Sequence, residues 1–351
     1  MNIHEKYIKR CIELAKNGFG RTYPNPMVGC VIVNDGKIIG EGWHQKAGEA
    51  HAEVNAINAV SDKSLLKKAT LYVSLEPCSH HGRTPPCSDL IVYHGIPEVI
   101  IGSVDPNEKV AGKGIEKLRN GGCKVMVGIL EKECVELNAR FFTYHLKKRP
   151  YIILKWAQTA DGYIDRNRAV LNVDEAHPTW IANTYSRQLT HKWRTEEQAI
   201  LVGTTTALKD NPSLTARDWK GNNPIRVILD RTLKIPSSYH VLDGTVKTLV
   251  ITGKQVVSNH ENIGYCMIDF SKNVAAQICE VLYENEIQSL IVEGGLQTLQ
   301  TFISSGLWDE ARIFTANITF GSGVKSPVME GETIYRTGIK GDVLEIIRNS
   351  I

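Results

Sequence analysis

The sequence predicts an α/β protein built in two parts. Short apolar runs of strand length alternate with amphipathic helical stretches. At about 150 residues per domain, a chain of 351 residues suggests two domains. The alternation breaks once, at the basic, proline-closed stretch His145-Leu146-Lys147-Lys148-Arg149-Pro150, and a second series starts beyond it. That stretch reads as a domain boundary, because a new series starts beyond it; a plain surface loop is the alternative.

Taken in order, residues 3–16 place Ile8, Cys11, Ile12 and Ala15 at helical spacing. An apolar run from Met27 to Val33 ends at Asn34-Asp35-Gly36, and Lys37 to Gly42 returns, so Asp35-Gly36 predicts a hairpin turn. Residues 52–60 repeat apolar positions in helical phase, with Val54, Ile57 and Val60. Leu71 to Leu75, Val99 to Ile101 and Val125 to Val127 read as short buried strands with helices between. In the second series, strands are expected at 151–157, 199–203, 225–230, 247–252, 288–293 and 311–318, and helices over 184–195, 274–285 and 296–305.

Composition narrows the function classes. Hydrophobic residues make up 42% and charged residues 23%, which fits a folded chain and excludes a disordered one. The net charge of +3 gives no sign of a nucleic-acid groove or an anionic membrane partner. No apolar run reaches the roughly 18 residues of a membrane span. Met1 to Lys6 opens into a charged, helix-like stretch without the apolar core of a signal peptide, so a cytoplasmic location is expected. Under that expectation the eight cysteines read as buried groups or metal ligands, not as a disulfide framework.

His51-Ala52-Glu53 is followed by Glu76-Pro77-Cys78 and, after eight intervening residues, by Cys87. One imidazole and two thiolates suit Zn²⁺, and three protein ligands leave a fourth tetrahedral position for water, as catalytic zinc sites do. Zinc lowers the pKa of such a water to roughly 7. Glu53, two residues from His51, is a carboxylate near that water without being a ligand, and it can carry protons. His51 and Cys87 precede helical stretches, whose N-terminal dipole favours thiolate over thiol. The alternative is a closed structural site completed by His44, His80 or His81; His80 and His81 also read as plain loop residues.

His-x-Glu with Pro-Cys…Cys is the signature of zinc nucleobase deaminases. The spacing in Glu76-Pro77-Cys78-Ser79-His80-His81-Gly82-Arg83-Thr84-Pro85-Pro86-Cys87 closely resembles the deaminase half of the bifunctional riboflavin-biosynthesis deaminase–reductases. Tyr23-Pro24-Asn25-Pro26-Met27-Val28-Gly29, Gly42-Trp43-His44 and Val104-Asp105-Pro106-Asn107 match the same family. The resemblance implies a cytidine-deaminase-like three-layer domain over residues 1–146. It also implies hydrolytic deamination of 2,5-diamino-6-ribosylamino-4(3H)-pyrimidinone 5′-phosphate, with Glu53 moving protons between water, ring and leaving ammonia. Asn25, His44, Arg83, Asp105 and Asn107 would contact the substrate, Arg83 suiting its phosphate. Without the family, Asn25, Asp105 and Asn107 read as turn formers beside proline.

Neither a Gly-x-Gly-x-x-Gly fingerprint nor a P-loop is present in the second half. Leu290-Ile291-Val292 instead leads into Glu293-Gly294-Gly295 and a helical stretch, a plausible phosphate cradle. Val202-Gly203-Thr204-Thr205-Thr206 reads as a second strand-to-polar-turn site with three hydroxyls able to bond phosphate or ribose. Together with Lys155-Trp156-Ala157, Asp161-Gly162, Trp180-Ile181, Asp210 to Arg217 and Arg226 to Asp230, these segments resemble the reductase half of the same family. That implies a dihydrofolate-reductase-like domain over 150–351 and NADPH-dependent reduction of the ribosyl side chain to ribityl. By position, Ala157, Trp180, Thr206, Asp210 and Gly295 would contact NADPH; Lys155, Arg194, Leu214, Arg217 and Glu293 would lie near the substrate. Trp180 and Leu214 read equally as core, and Arg194 as a solvated helix face. Arg231 and Lys234 are candidates for the NADPH 2′-phosphate. One departure stands out: the family has a Gly/Ser-rich approach and Trp-Ile-Thr/Ser-Gly, where this chain reads Asp174 to Asn183 and Pro178 has neither hydroxyl nor N–H donor, which puts a substrate contact near there, and reductase efficiency with it, in question.

Two other functions fit less well. A nucleic-acid base deaminase would need a basic, aromatic-rich stretch that is missing. A non-catalytic zinc-stabilised module would not need Glu53 beside three ligands. Exposed sheet edges and paired activities predict a homo-oligomer.

Overall fold

Continuous burial along the central strands decides the architecture of the first of two units. The structure, a computed structural model, describes residues 2–79, 85–108, 110–167 and 180–350. The chain divides into Met1–Lys148 and Arg149–Ile351. In the first unit the elements run α1 (Ile3–Ala15), β1 (Gly29–Asn34), β2 (Lys37–Trp43), α2 (Ala52–Ala59), β3 (Thr70–Leu75), α3 (Cys87–Tyr93), β4 (Glu98–Ser103), α4 (Lys113–Asn120), β5 (Lys124–Val127), α5 (Glu131–Leu137) and α6 (Ala139–Lys147). The sheet order is β2-β1-β3-β4-β5, with β1 antiparallel to both neighbours and the rest parallel. Cys30, Ile32, Leu71, Val73, Val99 and Ile101 face α2, α3 and α4. Their alternates Val31, Val33, Tyr72 and Ile100 face α1 and Cys134 of α5. A strand whose successive side chains are apolar on both faces must be covered on both, so the unit has three layers.

Glycines set how closely α2 rides on this sheet. A β-carbon at Gly42 would lie 2.6 Å from Ala52 O, and at Gly40 it would press on Ala56 O. Helix α2 therefore sits directly on β2, and its first turn is held at the sheet edge where β3 ends.

The second unit runs β6 (Tyr151–Thr159), β7 (Tyr163–Asp165), α7 (Thr184–Glu196), β8 (Ala199–Gly203), α8 (Thr204–Asp210), β9 (Ile225–Leu229), β10 (Thr248–Thr252), β11 (Ile263–Met267), α9 (Val274–Glu284), β12 (Ser289–Gly294), α10 (Leu296–Ser304), β13 (Glu310–Ala316), β14 (Val324–Lys325), β15 (Glu332–Ile339) and β16 (Asp342–Arg348). Nine strands form one sheet in the order β11-β10-β9-β8-β12-β6-β13-β16-β15. It is parallel from β11 to β13, and β16 and β15 close it antiparallel. On one face Ile152, Leu154, Leu201, Val227, Leu290 and Val292 pack against α9 and α10. On the other, Trp193 of α7 stacks on Phe314 of β13, ring centroids 5.3 Å apart. The β15–β16 turn is tied to α7: Asp342 accepts from Asn183 N at 2.8 Å and Ser186 Oγ at 2.6 Å, and Asn183 Nδ2 donates to Ile339 O at 2.7 Å.

Three expectations need correction. The basic stretch at 145–150 is no simple loop, because His145 and Lys147 close the last turn of α6 and the chain turns at Lys148, φ +52°. The segment from Thr204 is helix α8, not a polar turn. Strand β13 spans Glu310–Ala316 and stops short of 318, where its pairing with β6 ends at Thr159.

Candidate metal centre and candidate cofactor cleft

In the first unit the loop before α2, the exit of β3 and the start of α3 converge. His51 is the N-cap of α2, Cys78 follows β3, and Cys87 opens α3. His51 Nδ1 lies 3.6 Å from Cys78 Sγ and 3.4 Å from Cys87 Sγ. Bond lengths of about 2.0–2.1 Å to nitrogen and about 2.3 Å to sulfur put tetrahedral donors roughly 3.5 Å apart, so this donor set fits zinc. Among the described residues no fourth His, Cys, Asp or Glu joins the group. His80 and His81 lie outside the described residues. His44 has both ring nitrogens engaged: Nδ1 lies 3.1 Å from Ala50 O, and Nε2 lies 3.1 Å from Asn25 Nδ2. The carbonyl requires a proton on Nδ1, so Nε2 accepts from the Asn25 amide, and burial lowers the His44 pKa to keep the ring neutral.

The sulfurs share charge unequally. Cys78 accepts from the Cys87 thiol and also from Cys87 N at 3.3 Å, which holds it down at about 4. Cys87, donating to Cys78 and buried, is pushed up. Glu53 is 3% exposed in the first turn of α2. Burial, reinforced by the Cys78 charge, raises its carboxyl to about 7. An acid that titrates near neutrality beside a metal-binding triad is suited to pass protons. Asp105 and Asn107 lie in the segment after β4, and Asn107 N donates to Asp105 Oδ1 at 2.8 Å. Arg83 lies outside the described residues.

In the second unit a cleft of about 720 Å³ opens at the C-terminal ends of the parallel strands, where ligands of α/β sheets bind. Lys155, Ala157, Trp180, Arg194, Thr206, Asp210, Arg217, Glu293 and Gly295 all line it. Glu293, at the end of β12, takes Arg194 in a two-pronged bond, 3.1 Å from Nε and 2.8 Å from NH2. Lys155 Nζ stands 3.8 Å from the same carboxylate. Burial alone would raise the Glu293 pKa, but Arg194 and Lys155 outweigh it and hold it at about 2. Burial lowers the pKa of Lys155. Glycine lets neighbouring elements close in on the strand ends. A β-carbon at Gly203 would lie 2.5 Å from Thr298 Oγ1, and Gly294 has φ +125°.

Comparisons with known proteins match both units. A family model described as the cytidine and deoxycytidylate deaminase zinc-binding region matches residues 1–103. One described as the RibD C-terminal domain matches residues 150–342. The riboflavin biosynthesis protein RibD of Aquifex aeolicus is 44% identical over 92% of this chain and 89% of its own.

The chain belongs to the RibD family.

Escherichia coli RibD is 33% identical over 92% of this chain and 89% of its own. Among solved structures, the diaminohydroxyphosphoribosylaminopyrimidine deaminase/5-amino-6-(5-phosphoribosylamino)uracil reductase of Thermotoga maritima is 38% identical with a TM-score of 0.88, covering 99% of both chains. Acinetobacter baumannii RibD is 30% identical at the same TM-score and coverage.

Against this RibD framework, the sequence reading of the cleft changes at several residues. Leu214 does not line it: the side chain is 2% exposed, with φ +55°, and packs in the interior. Of the three threonine hydroxyls, that of Thr204 donates to Leu229 O at 2.8 Å. Arg194 is no solvated helix face, and Trp180 is no core residue, being 63% exposed with Arg187 over its ring at 4.5 Å. Arg231 lines the cleft and Lys234 does not. The segment 174–179, with Pro178, lies outside the described residues. Sequence reasoning missed His191, one turn before Arg194, which lines the cleft with Nε2 3.2 Å from Asp218. The i, i+3 spacing from Arg194 was a readable signal.

Proposed function

We propose that the two units catalyse consecutive steps of riboflavin biosynthesis: hydrolytic deamination of 2,5-diamino-6-ribosylamino-4(3H)-pyrimidinone 5′-phosphate, then NADPH-dependent reduction of the ribosyl side chain to ribityl. The observation that carries the reading is one chain holding both a His51–Cys78–Cys87 donor set with Glu53 beside it and a strand-end cleft floored by Arg194–Glu293–Lys155.

In the first unit His51 Nδ1 and the two sulfurs would hold zinc, which supplies Lewis-acid activation of water. Glu53 takes the proton from water at its carboxylate and returns it to the ring and then to the departing nitrogen. Asn25 is held by neutral His44, which fixes its amide so that the carbonyl oxygen is free for a ring N–H. Asp105 and Asn107 contact the ring edge or ribose hydroxyls, and Arg83 the phosphate.

In the second unit NADPH supplies hydride. Ala157, Trp180, Thr206, Asp210 and Gly295 seat the cofactor. Arg194, Arg217 and Lys155 give the cleft a surplus of cationic groups over Glu293, which suits a phosphorylated sugar. Glu293 keeps the Arg194 fork and the Lys155 amine from rotating. No helix of the described residues is long and apolar enough to cross a membrane, and the reading places the enzyme in the cytoplasm. A homo-oligomer is part of the reading, supported by the exposed edge strand β15.

The test supplies purified, zinc-loaded protein with the diaminopyrimidine ribotide and NADPH. Stoichiometric ammonia release followed by NADPH oxidation is expected. Release without oxidation would remove the second activity, and neither would remove the reading. Light scattering at a single peak of monomer mass would remove the oligomer.

A further inference from the structure

Glu76 leaves β3 two residues before Cys78 and is 4% exposed. Its carboxylate gathers four backbone N–H groups from one distant segment. Oε1 accepts from Gly114 N at 2.8 Å and Ile115 N at 3.2 Å. Oε2 accepts from Gly112 N at 3.0 Å and Asp105 N at 3.3 Å. Helix α4 has no side-chain cap of its own, because its N-cap is Gly112 with φ +77°. Glu76 thus caps α4 from another element and in the same stroke holds the backbone of Asp105. Gly114 has no β-carbon to keep Pro77 away, since one placed there would overlap the Pro77 carbonyl. The segment is stiffened within itself by Val110 N and Ala111 N, which donate to Asn107 O at 2.7 and 2.8 Å.

We infer that Glu76 is a positioning residue for the deamination: it locks the strand end that carries Cys78 to the segment that carries Asp105 and Asn107. This rests on the reading that Asp105 and Asn107 contact the pyrimidine ribotide. A carboxylate shared by four N–H donors is a charge-assisted clamp, and a neutral amide cannot replace it. In Glu76→Gln one side of the head becomes a donor facing two donors, and those two lose their acceptor. The helix-side bonds are the shorter pair, so the amide oxygen stays with Gly114 and Ile115. The pair released is Asp105 N and Gly112 N. The substrate segment loosens while the three metal donors are untouched.

The experiment uses the full chain and four variants: Glu76→Gln, Glu76→Asp, Asn107→Ala and the double Glu76→Gln/Asn107→Ala. Zinc content and the visible spectrum of the Co²⁺-substituted protein are expected to match wild type in all four. KM for the ribotide in ammonia release is expected to rise about tenfold in Glu76→Gln with kcat within about twofold. The double variant is expected to exceed the weaker-binding single variant by less than about threefold, because both changes act through one segment. Amide exchange over residues 105–115 is expected to speed up in Glu76→Gln, and NADPH oxidation with the deaminated intermediate to stay at the wild-type rate. A raised KM in Asn107→Ala with an unchanged KM in Glu76→Gln would overturn the inference and leave the substrate reading standing. An unchanged KM in Asn107→Ala would overturn the substrate reading itself. Glu76→Asp keeps the charge and reaches only one pair, so it carries the same KM expectation if Glu76→Gln does not fold.

Discussion

Glu53 combines three properties that rarely coincide in one side chain: it is buried, it lies beside two sulfurs, and it is not one of the three clustered donors. Glu53→Gln keeps the shape and removes the proton carrier. Ammonia release is expected to fall by about 10²–10⁴-fold with zinc content unchanged, measured by metal analysis beside the turnover assay. Retained turnover would remove Glu53 from the chemistry. Glu293 makes a different prediction, because its carboxyl sits at about 2 in the folded chain. A folded value below the ordinary one contributes stability that is complete above about pH 4.5 and fades as pH falls toward about 2. Glu293→Gln is therefore expected to cost about 3 kcal/mol at neutral pH, with the gap to wild type narrowing as the pH of the denaturant titration is lowered below about 4.

Elements carry the sites by close approach, and glycine is the means in the first unit. Gly42→Ala pushes α2 away from β2, and α2 bears Glu53 and starts at His51. A cost of about 2 kcal/mol in the thermal unfolding of the full chain is expected, together with slower ammonia release. Much at this scale was legible in the sequence. The Asp35-Gly36 hairpin, the strands before Cys78 and Glu293, and helix α7 follow from periodicity and turn chemistry that agree with each other. What was not legible has physical reasons. Helix α8 begins with three threonines, poor helix formers whose hydroxyls suggest a turn, and tertiary contact of Thr204 with Leu229 O decides otherwise. Strand β15 is exposed along its first five residues, so no alternation marks it, and it exists because β16 pairs with it. Glu76 draws its surroundings from a segment far away in the chain, which no local pattern encodes.

At the scale of the whole molecule, each unit has its own sheet and its own core. The proposed activities therefore separate. Stripping zinc with a chelator is expected to abolish ammonia release and to leave NADPH oxidation with the deaminated intermediate within about twofold, since apolar cores and not the ion hold the second unit together. Loss of both would mean that the metal supports more than the first unit. The motif spacing picked out His51, Cys78 and Cys87, which the fold brings together, because metal chemistry constrains donor type and spacing. The second site was read less completely, because a cleft that binds through backbone and scattered side chains leaves only weak marks along the chain.

The tie from Asp342 to Asn183 and Ser186 gives the final strand pair a reach beyond its own edge of the sheet. These bonds anchor the start of the helix whose later turns present His191 and Arg194. A purification tag or truncation that frays the last dozen residues would register as a loss of grip on a sugar phosphate many ångströms away, and could be mistaken for damage at the chemistry itself.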